Sequence, residues 1–257
     1  MDETRLPITD HLAELRTRII RILFAWVIGS AVAWTWSDDI FGLLLAPAVH
    51  ALGAGQPLQA IAPAEIFFSY VKCALLAGFL FALPVVFWQI WAFVAPGLYP
   101  REKNAILPFV FVSTVLFIGG AVFGYTQILP IMFQFFTSYD NDWVKSAWTM
   151  HEVFKLTTSM FLAFGVAFEL PVFVFLLAVA GIVDAPTLFR GTRYAILVIF
   201  IAAAIITPSP DWVSQCLLGV PMVALYLIGV GVAYVFGPRR QSEESQLPVS
   251  TQRRRAD

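Results

Sequence analysis

The chain has 257 residues, of which 59% are hydrophobic and only 13% are charged, with a formal net charge of −1 at pH 7. A soluble globular domain carries about 25% charged residues, so this chain has too few charges to cover a water-soluble surface. Its 24 Phe and 8 Trp residues exclude a disordered chain, and the net charge gives no general attraction to nucleic acid. Composition therefore indicates a membrane protein.

Gaps between charged residues predict where the chain crosses a bilayer. Residues 73–100, 104–139 and 212–238 carry no Asp, Glu, Lys or Arg, and a membrane-spanning helix needs about 20 apolar residues. Backbone groups in lipid must be satisfied within their own segment, which selects helices, and these runs lack the alternation of transmembrane β-strands. We therefore predict an all-α polytopic membrane protein, one domain over residues 1–238. Its six spans are expected near residues 19–36, 67–92, 106–129, 152–180, 194–208 and 213–235.

The distribution of Lys and Arg predicts the orientation of these spans. With a cytoplasmic N-terminus, 13 of the 16 Lys and Arg residues fall on the cytoplasmic side, as the positive-inside rule requires. We therefore expect both termini in the cytoplasm and a polar, disordered cytoplasmic tail at residues 239–257. The acidic and polar start of the chain predicts no cleavable signal peptide.

Prolines, glycines and one short span predict the shape of the bundle. Proline inside a helix bends it, so we expect six bent helices to form a curved, cup-like wall. The fifth span, Tyr194–Thr207, has 14 residues, or about 21 Å of helix against a hydrocarbon core of about 30 Å. Either this span thins the bilayer or recruits a partner, or its helix extends through Arg193. Gly120 and Gly124 have a spacing that permits internal packing or dimerisation.

Signatures of catalysis and cofactor binding are missing from the sequence. The histidines, His11, His50 and His151, never occur at i, i+4 spacing, which gives little support to a metal or haem site. Nucleophile-elbow, Walker and Cys-x-x-Cys motifs are absent. Cys73 and Cys216 are expected to be buried thiols, and a disulfide between them is the alternative. We expect neither an enzyme nor a bound cofactor.

A few polar residues are candidates for function. Glu169 lies alone in a long apolar run, where an ionisable group costs roughly 2.5–3.5 kcal/mol. It either faces a cavity or partner, or is a protonated group that hydrogen-bonds between helices. Gln215 is a second intramembrane polar group, which helix packing alone could explain. Glu14 and Glu102 are predicted cytoplasmic carboxylates suited to a basic ligand, although Glu14 could simply pair with Arg18 at i, i+4 and Glu102 could be solvated.

The chain resembles the TatC family, the membrane receptor of the twin-arginine protein translocase, in HLAELRTR, APAVHAL, FWQIWAFVAPGLYPREK, FLAFGVAFELPV and TPSPDWVSQCLLGVPM. The resemblance extends over residues 8–236 in the family's order. It implies a receptor in the bacterial cytoplasmic (inner) membrane that binds signal peptides bearing paired arginines. It also implies assembly with the single-span proteins TatA and TatB and with further TatC copies. Such an assembly exports folded proteins with the proton-motive force and without ATP.

The resemblance also assigns roles to the cytoplasmic residues. Glu14 and Glu102 correspond to the acids implied to bind the two arginines, and Phe93 and Gln89 correspond to positions that flank the pocket. One departure is that the family often has further basic residues just before the loop acid, where this chain has Pro100 and Arg101.

Three further residues match polar positions of the family. Glu169 corresponds to the polar residue on the concave face of the fourth span, Gln215 to a position near partner helices, and Asp211 to an outer-loop acid implicated in function. Two other classes of function remain as alternatives. A secondary transporter or ion channel would use Glu169 in its ion path, and a structural scaffold would leave Glu14 and Glu102 freely replaceable.

Overall fold

The computed structural model describes residues 8–53, 58–98, 106–143, 146–207 and 211–236, and these residues form ten α-helices. The helices are α1 (Ile8–Ala33), α2 (Ser37–Leu52), α3 (Glu65–Leu98), α4 (Ile106–Phe123), α5 (Leu129–Thr137), α6 (Met150–Ala167), α7 (Leu170–Val179), α8 (Ala185–Arg190), α9 (Thr192–Ile206) and α10 (Trp212–Phe236). A 3₁₀ segment, Trp34–Trp36, joins α1 to α2, and a π-helical turn, Gly124–Ile128, joins α4 to α5. The all-helical prediction is confirmed. The predicted tail, residues 239–257, lies outside the described residues.

Five helical segments in the described part of the chain are long and apolar enough to cross a membrane. They overlap five of the six predicted spans and run over His11–Leu52, Glu65–Phe93, Leu107–Thr137, Met150–Val179 and Trp212–Val235. The remaining predicted span, 194–208, corresponds to α9. This helix begins before Arg193, as one of the two alternatives required, but its 15 residues still give only about 22 Å of helix.

The helices pack in a row that follows the chain except at its end. α1 packs mainly on α3, α3 on α4, and α4 on α6. α7 continues the line of α6 and packs on α10, which in turn packs on α9, so α9 follows α10 in the row. α2 lies against α3, α5 and α6. A large hydrophobic core joins α2, α5, α6, α9 and α10 and includes residues of α3 and α7, and a smaller one joins α3, α4 and α7.

Proline interrupts the fourth predicted span, which is not one continuous helix. α6 ends at Ala167 and α7 begins at Leu170, with Phe168 and Glu169 between them. Pro171 has no N–H to donate to the carbonyl of Ala167, and its ring collides with that carbonyl in a regular helix. The interruption therefore falls one turn before the proline, and it puts Glu169 at a break in the helix.

Glycines bring neighbouring helices into close contact at several places, including the α1–α3 and α4–α6 contacts. A Cβ at Gly29 of α1 would lie 2.6 Å from the carbonyl oxygen of Gly78 in α3. A Cβ at Gly120 of α4 would lie 2.3 Å from the carbonyl oxygen of Phe164 in α6, and one at Gly124 would lie 2.6 Å from the Phe164 ring. Gly120 and Gly124 therefore serve internal packing, which was one of the two predicted alternatives.

Candidate functional site

The predicted signal-pocket residues of α1 and α3 meet around one arginine. The Nε of Arg18 donates to Oε1 of Glu14 at 3.0 Å, and its Nη2 donates to the same oxygen. The Nη1 of Arg18 donates to Oε1 of Gln89 at 3.3 Å, and Nη2 also donates to the carbonyl of Ala92 at 3.1 Å. This guanidinium connects the first turns of α1 to the last turns of α3. The i, i+4 pairing of Glu14 with Arg18 is thus present, but it belongs to a contact between two helices.

An aromatic pair closes the same region on one side. The ring of His11 stacks on the ring of Phe93, with centroids 4.4 Å apart and planes inclined by 15°. The Nδ1 of His11 lies 4.0 Å from Oε2 of Glu14. Glu14, Gln89 and Phe93, which the sequence predicted as neighbours, are therefore brought together at one end of the α1 and α3 pair.

Glu102 lies outside the described residues, in the segment 99–105 that connects α3 to α4. Phe93 precedes it by nine positions in the sequence. The connection leaves α3 at the end where Arg18 and Glu14 lie, because the contacts of Gln89, Ala92 and Phe93 with α1 are all in the last turns of α3. The predicted proximity of Glu102 to Glu14 stays a prediction.

Glu169 lies at the break between α6 and α7 and faces α4. Its carboxyl approaches the hydroxyl of Ser113, and its Oε1 is buried without a hydrogen-bond partner among the described residues. The fully buried Ser113 hydroxyl also accepts a hydrogen bond from Nε1 of Trp91 at 3.2 Å. A polar cluster of Trp91, Ser113 and Glu169 therefore connects α3, α4 and the break.

An apolar cavity lies beside this cluster, between α4, α7 and α10. Its volume is about 330 Å³. The residues lining it are Pro108, Phe109, Val112, Leu116, Pro171, Val172, Phe175 and Val232. Every one of these side chains is apolar, and in sequence Ser113 and Glu169 lie next to or close to the lining residues Val112 and Pro171.

Gln215 and Asp211 have local structural contacts at the start of α10. The Nε2 of Gln215 donates to the carbonyl oxygen of Phe200 in α9 at 2.9 Å. The Oδ1 of Asp211 accepts from the backbone N–H of Ser214 at 2.7 Å, which is the geometry of a helix N-cap. Gln215 bonds to α9, whereas Glu169 approaches Ser113 of α4, so the two polar groups belong to different helix contacts.

Metal-binding groups are not found in the described residues, where no cluster of three or more His, Cys, Asp or Glu could hold an ion. Cys73 and Cys216 are both free thiols. The sequence did not predict the contact between Trp91 and Ser113. A signal for Trp91 was available, because a buried indole N–H almost always requires an acceptor, but its partner lies 22 positions away in another helix.

Comparisons with known proteins agree with one another. The family model described as "Sec-independent protein translocase protein (TatC)" matches residues 10–221. A relative from Desulforapulum autotrophicum with that name is 39% identical over 95% of this chain and 90% of its own length. One from Koribacter versatilis is 40% identical over 92% of this chain and 90% of its own. The crystal structure of a twin-arginine translocase receptor, TatC, superposes with a TM-score of 0.79 at 32% identity, covering 88% of this chain and 98% of that one.

Proposed function

Because the chain belongs to the TatC family of Sec-independent protein translocases, we propose that it binds the twin-arginine signal peptides of folded cargo proteins. Membership makes it a component of a protein-transport machine and not an enzyme. It also favours transport of proteins over the transporter or channel that the sequence left as an alternative. The remaining steps concern which residues recognise the signal and where its partners bind.

One observation carries the proposal: the carboxylate of Glu14 is held at the junction of α1 and α3 while 40% of its side chain stays exposed. The segment that contains Glu102 leaves α3 at the same junction. Two arginines on a signal call for two acids, and Glu14 and Glu102 are the two proposed for this role. Gln89 accepts from Arg18 and the Phe93 ring stacks on His11, so both residues join the partners of Glu14 to α3.

The energetics favour arginine over lysine at such a pocket. Fully exposed ion pairs contribute only about 0–1 kcal/mol, whereas hydrogen bonds to charged groups contribute roughly 1.5–3 kcal/mol. A guanidinium presents several donors in a rigid plane, and an ammonium presents a compact and strongly hydrated charge. A partly sheltered carboxylate such as Glu14 therefore gains more from arginine.

Orientation and localisation follow from the charge distribution. We place both termini and the Glu14 junction in the cytoplasm of a bacterial cell, with the protein in the inner membrane, because 13 of the 16 Lys and Arg residues then lie on the inner side. In this arrangement α9 is the fifth of six membrane crossings and is shorter than the others. Signals would then meet the pocket on the side where they are synthesised.

The exposed face of α9 is the surface proposed for TatA-type or TatB-type single-span partners. α9 lies at the end of the row of helices, and Leu197, Val198, Ile201 and Ile205 are exposed along it. Its length of about 22 Å leaves a mismatch with the bilayer that a partner helix relieves. Further TatC copies are proposed for the assembled translocase.

Roles for the other predicted residues are more local. Glu169 is proposed as a polar point beside an apolar cavity that a translocating chain or partner contacts. Gln215 fixes α10 to α9 through Phe200, and so would support the partner surface from behind. Asp211 caps α10, and its proposed contribution to the outer loop depends on that cap.

Binding of a synthetic signal peptide tests the proposal. The full-length protein in lipid nanodiscs is titrated with a fluorescent peptide that carries Arg-Arg before an apolar segment. We expect Glu14→Lys and Glu102→Lys to weaken binding at least tenfold each, because each change removes an acceptor and adds a repelling charge. Glu152→Lys, on the predicted outer side, is the control and should bind normally. Unchanged binding in a Glu14→Lys/Glu102→Lys double variant would contradict the proposed pocket.

A further inference from the structure

Arg18 makes more contacts than an ordinary surface ion pair would need. It donates four hydrogen bonds, two to Glu14 in its own helix and two to α3, at Gln89 and the Ala92 carbonyl. Only 17% of its side chain is exposed, against 40% for Glu14. The guanidinium is therefore bound to α3, and it in turn holds the more exposed carboxylate of Glu14.

Because of its contacts with Arg18, Glu14 has two carboxylate oxygens that differ in their capacity to accept further hydrogen bonds. Both Arg18 donors reach Oε1, and one carboxylate oxygen has about two acceptor positions, so Oε1 is filled. Oε2 has no hydrogen bond among the described residues, and its nearest recorded partner is Nδ1 of His11 at 4.0 Å. Glu14 thus offers one open oxygen in a fixed direction.

We infer that Arg18 is a positioning residue that sets the preference of the Glu14 pocket for arginine over lysine. The inference rests on the proposed function, because it assumes that Glu14 receives a cation from the signal. Arg18 neutralises the charge of Glu14 while leaving Oε2 free. The general attraction for any cation is therefore reduced, and directional hydrogen bonding to Oε2 decides which ligand binds.

A fixed single oxygen favours the guanidinium. Two N–H groups of one guanidinium can chelate one oxygen, as the Nε and Nη2 of Arg18 themselves do at Oε1. An ammonium donates to that oxygen through one N–H and must give up a stronger hydration shell. If Arg18 were absent, Glu14 would turn freely and adapt to an ammonium with both oxygens, so the difference between the two ligands would shrink.

A simple competitor would behave in the opposite way. Suppose that Arg18 merely occupied Glu14 until a signal displaced it. Removal of Arg18 would then strengthen the binding of every displacing ligand by the same free energy. A ligand that binds without displacing Arg18 would gain less binding free energy from this removal. Removal of a competitor therefore leaves the preference for arginine unchanged or enlarges it, whereas removal of a positioning residue reduces the preference.

The test is the ratio of two dissociation constants on the full-length protein in nanodiscs. Arg-Arg and Lys-Lys peptides with the same apolar segment are titrated against wild type, Arg18→Gln, Arg18→Lys, Arg21→Gln and Glu14→Gln. We expect Arg18→Gln to lower the Lys-Lys to Arg-Arg Kd ratio by about three- to tenfold, the range for one net hydrogen bond. Arg18→Lys keeps the charge without the forked donors, so the ratio should fall there too.

Arg21→Gln removes the same charge from the same helix, at an exposed position, and should leave the ratio at its wild-type value. A ratio that stays constant or rises in Arg18→Gln, with Glu14→Gln still weakening Arg-Arg binding, overturns the inference and leaves the proposed function standing. Arg-Arg binding that is unaffected by Glu14→Gln overturns the proposed function itself. Partial unfolding of a variant lowers the number of binding sites for both peptides equally, so it cannot produce the expected change in the ratio.

Discussion

Replacement of Glu169 by methionine tests whether the Glu169 carboxyl serves transport or the stability of the fold. The Oε1 of Glu169 is buried without a partner among the described residues, and an unsatisfied buried polar group costs about 1–3 kcal/mol. Methionine is unbranched, adapts to irregular space, and would extend the apolar surface of the neighbouring cavity. We therefore expect Glu169→Met to raise the free energy of unfolding by about 1–3 kcal/mol while protein export decreases.

Ser113→Ala provides the matched comparison. The Trp91 indole is buried and donates to Ser113 at 3.2 Å, so this change leaves the N–H group without an acceptor. We expect a loss of about 1–3 kcal/mol, opposite in sign to the effect of Glu169→Met. The two changes affect adjacent members of one cluster, and a general response to altered packing would move both in the same direction.

Thermal unfolding in one detergent, signal-peptide binding in nanodiscs and export of a folded reporter are the three measurements for these variants. Glu169→Met should unfold at a higher temperature than wild type, bind the peptide normally and export less reporter. A lower unfolding temperature for Glu169→Met would refute the reasoning, since it would mean that the carboxyl holds α4 and the helix break together. Normal export by a stable Glu169→Met variant would remove the proposed role of the carboxyl in transport.

Two other substitutions test the packing and the partner surface. Gly120→Ala puts a Cβ 2.3 Å from the backbone carbonyl oxygen of Phe164 and should destabilise the protein by about 1–3 kcal/mol. A Cβ at Gly119 meets nothing within 4 Å, so Gly119→Ala should stabilise the protein by up to about 1 kcal/mol. Equal melting temperatures for the two variants would contradict the close α4–α6 contact. Gln215→Leu loses its bond to Phe200 and should cost only about 0.6 kcal/mol, yet reduce co-purification of a TatB-type partner; a full yield of partner would argue against the α9 surface.

The membrane spans could be predicted because lipid excludes charge. Charge-poor runs located part of each of the five membrane-length segments and the short α9. The helix α2, Ser37–Leu52, was not predicted, because its acidic first turn resembles a polar loop in a scan that searches for charge-free runs. Pro171 predicted a bend in this span, but its position in the sequence could not distinguish a bent helix from the break at Phe168 and Glu169.

The residues of the candidate site could be predicted from the sequence, but the hydrogen bonds that join them between helices could not. Glu14, Gln89 and Phe93 were recognised from the resemblance, and the structure does bring them together. The role of Arg18 was reduced to an i, i+4 pair, since helical spacing reveals partners on the same helix and not those 71 or 74 positions away. The Trp91–Ser113 contact was missed for the same reason.

Export of a folded reporter tests the central claim most directly. Cells that contain this chain as their only receptor of the twin-arginine type, together with its partners, would receive one reporter behind three signals that differ only in carrying Arg-Arg, Lys-Lys or no basic pair. The account predicts efficient export with Arg-Arg, a severalfold or greater loss with Lys-Lys and no export without a basic pair. Equal export of all three reporters would show that the acids at the α1 and α3 junction do not read the arginine pair.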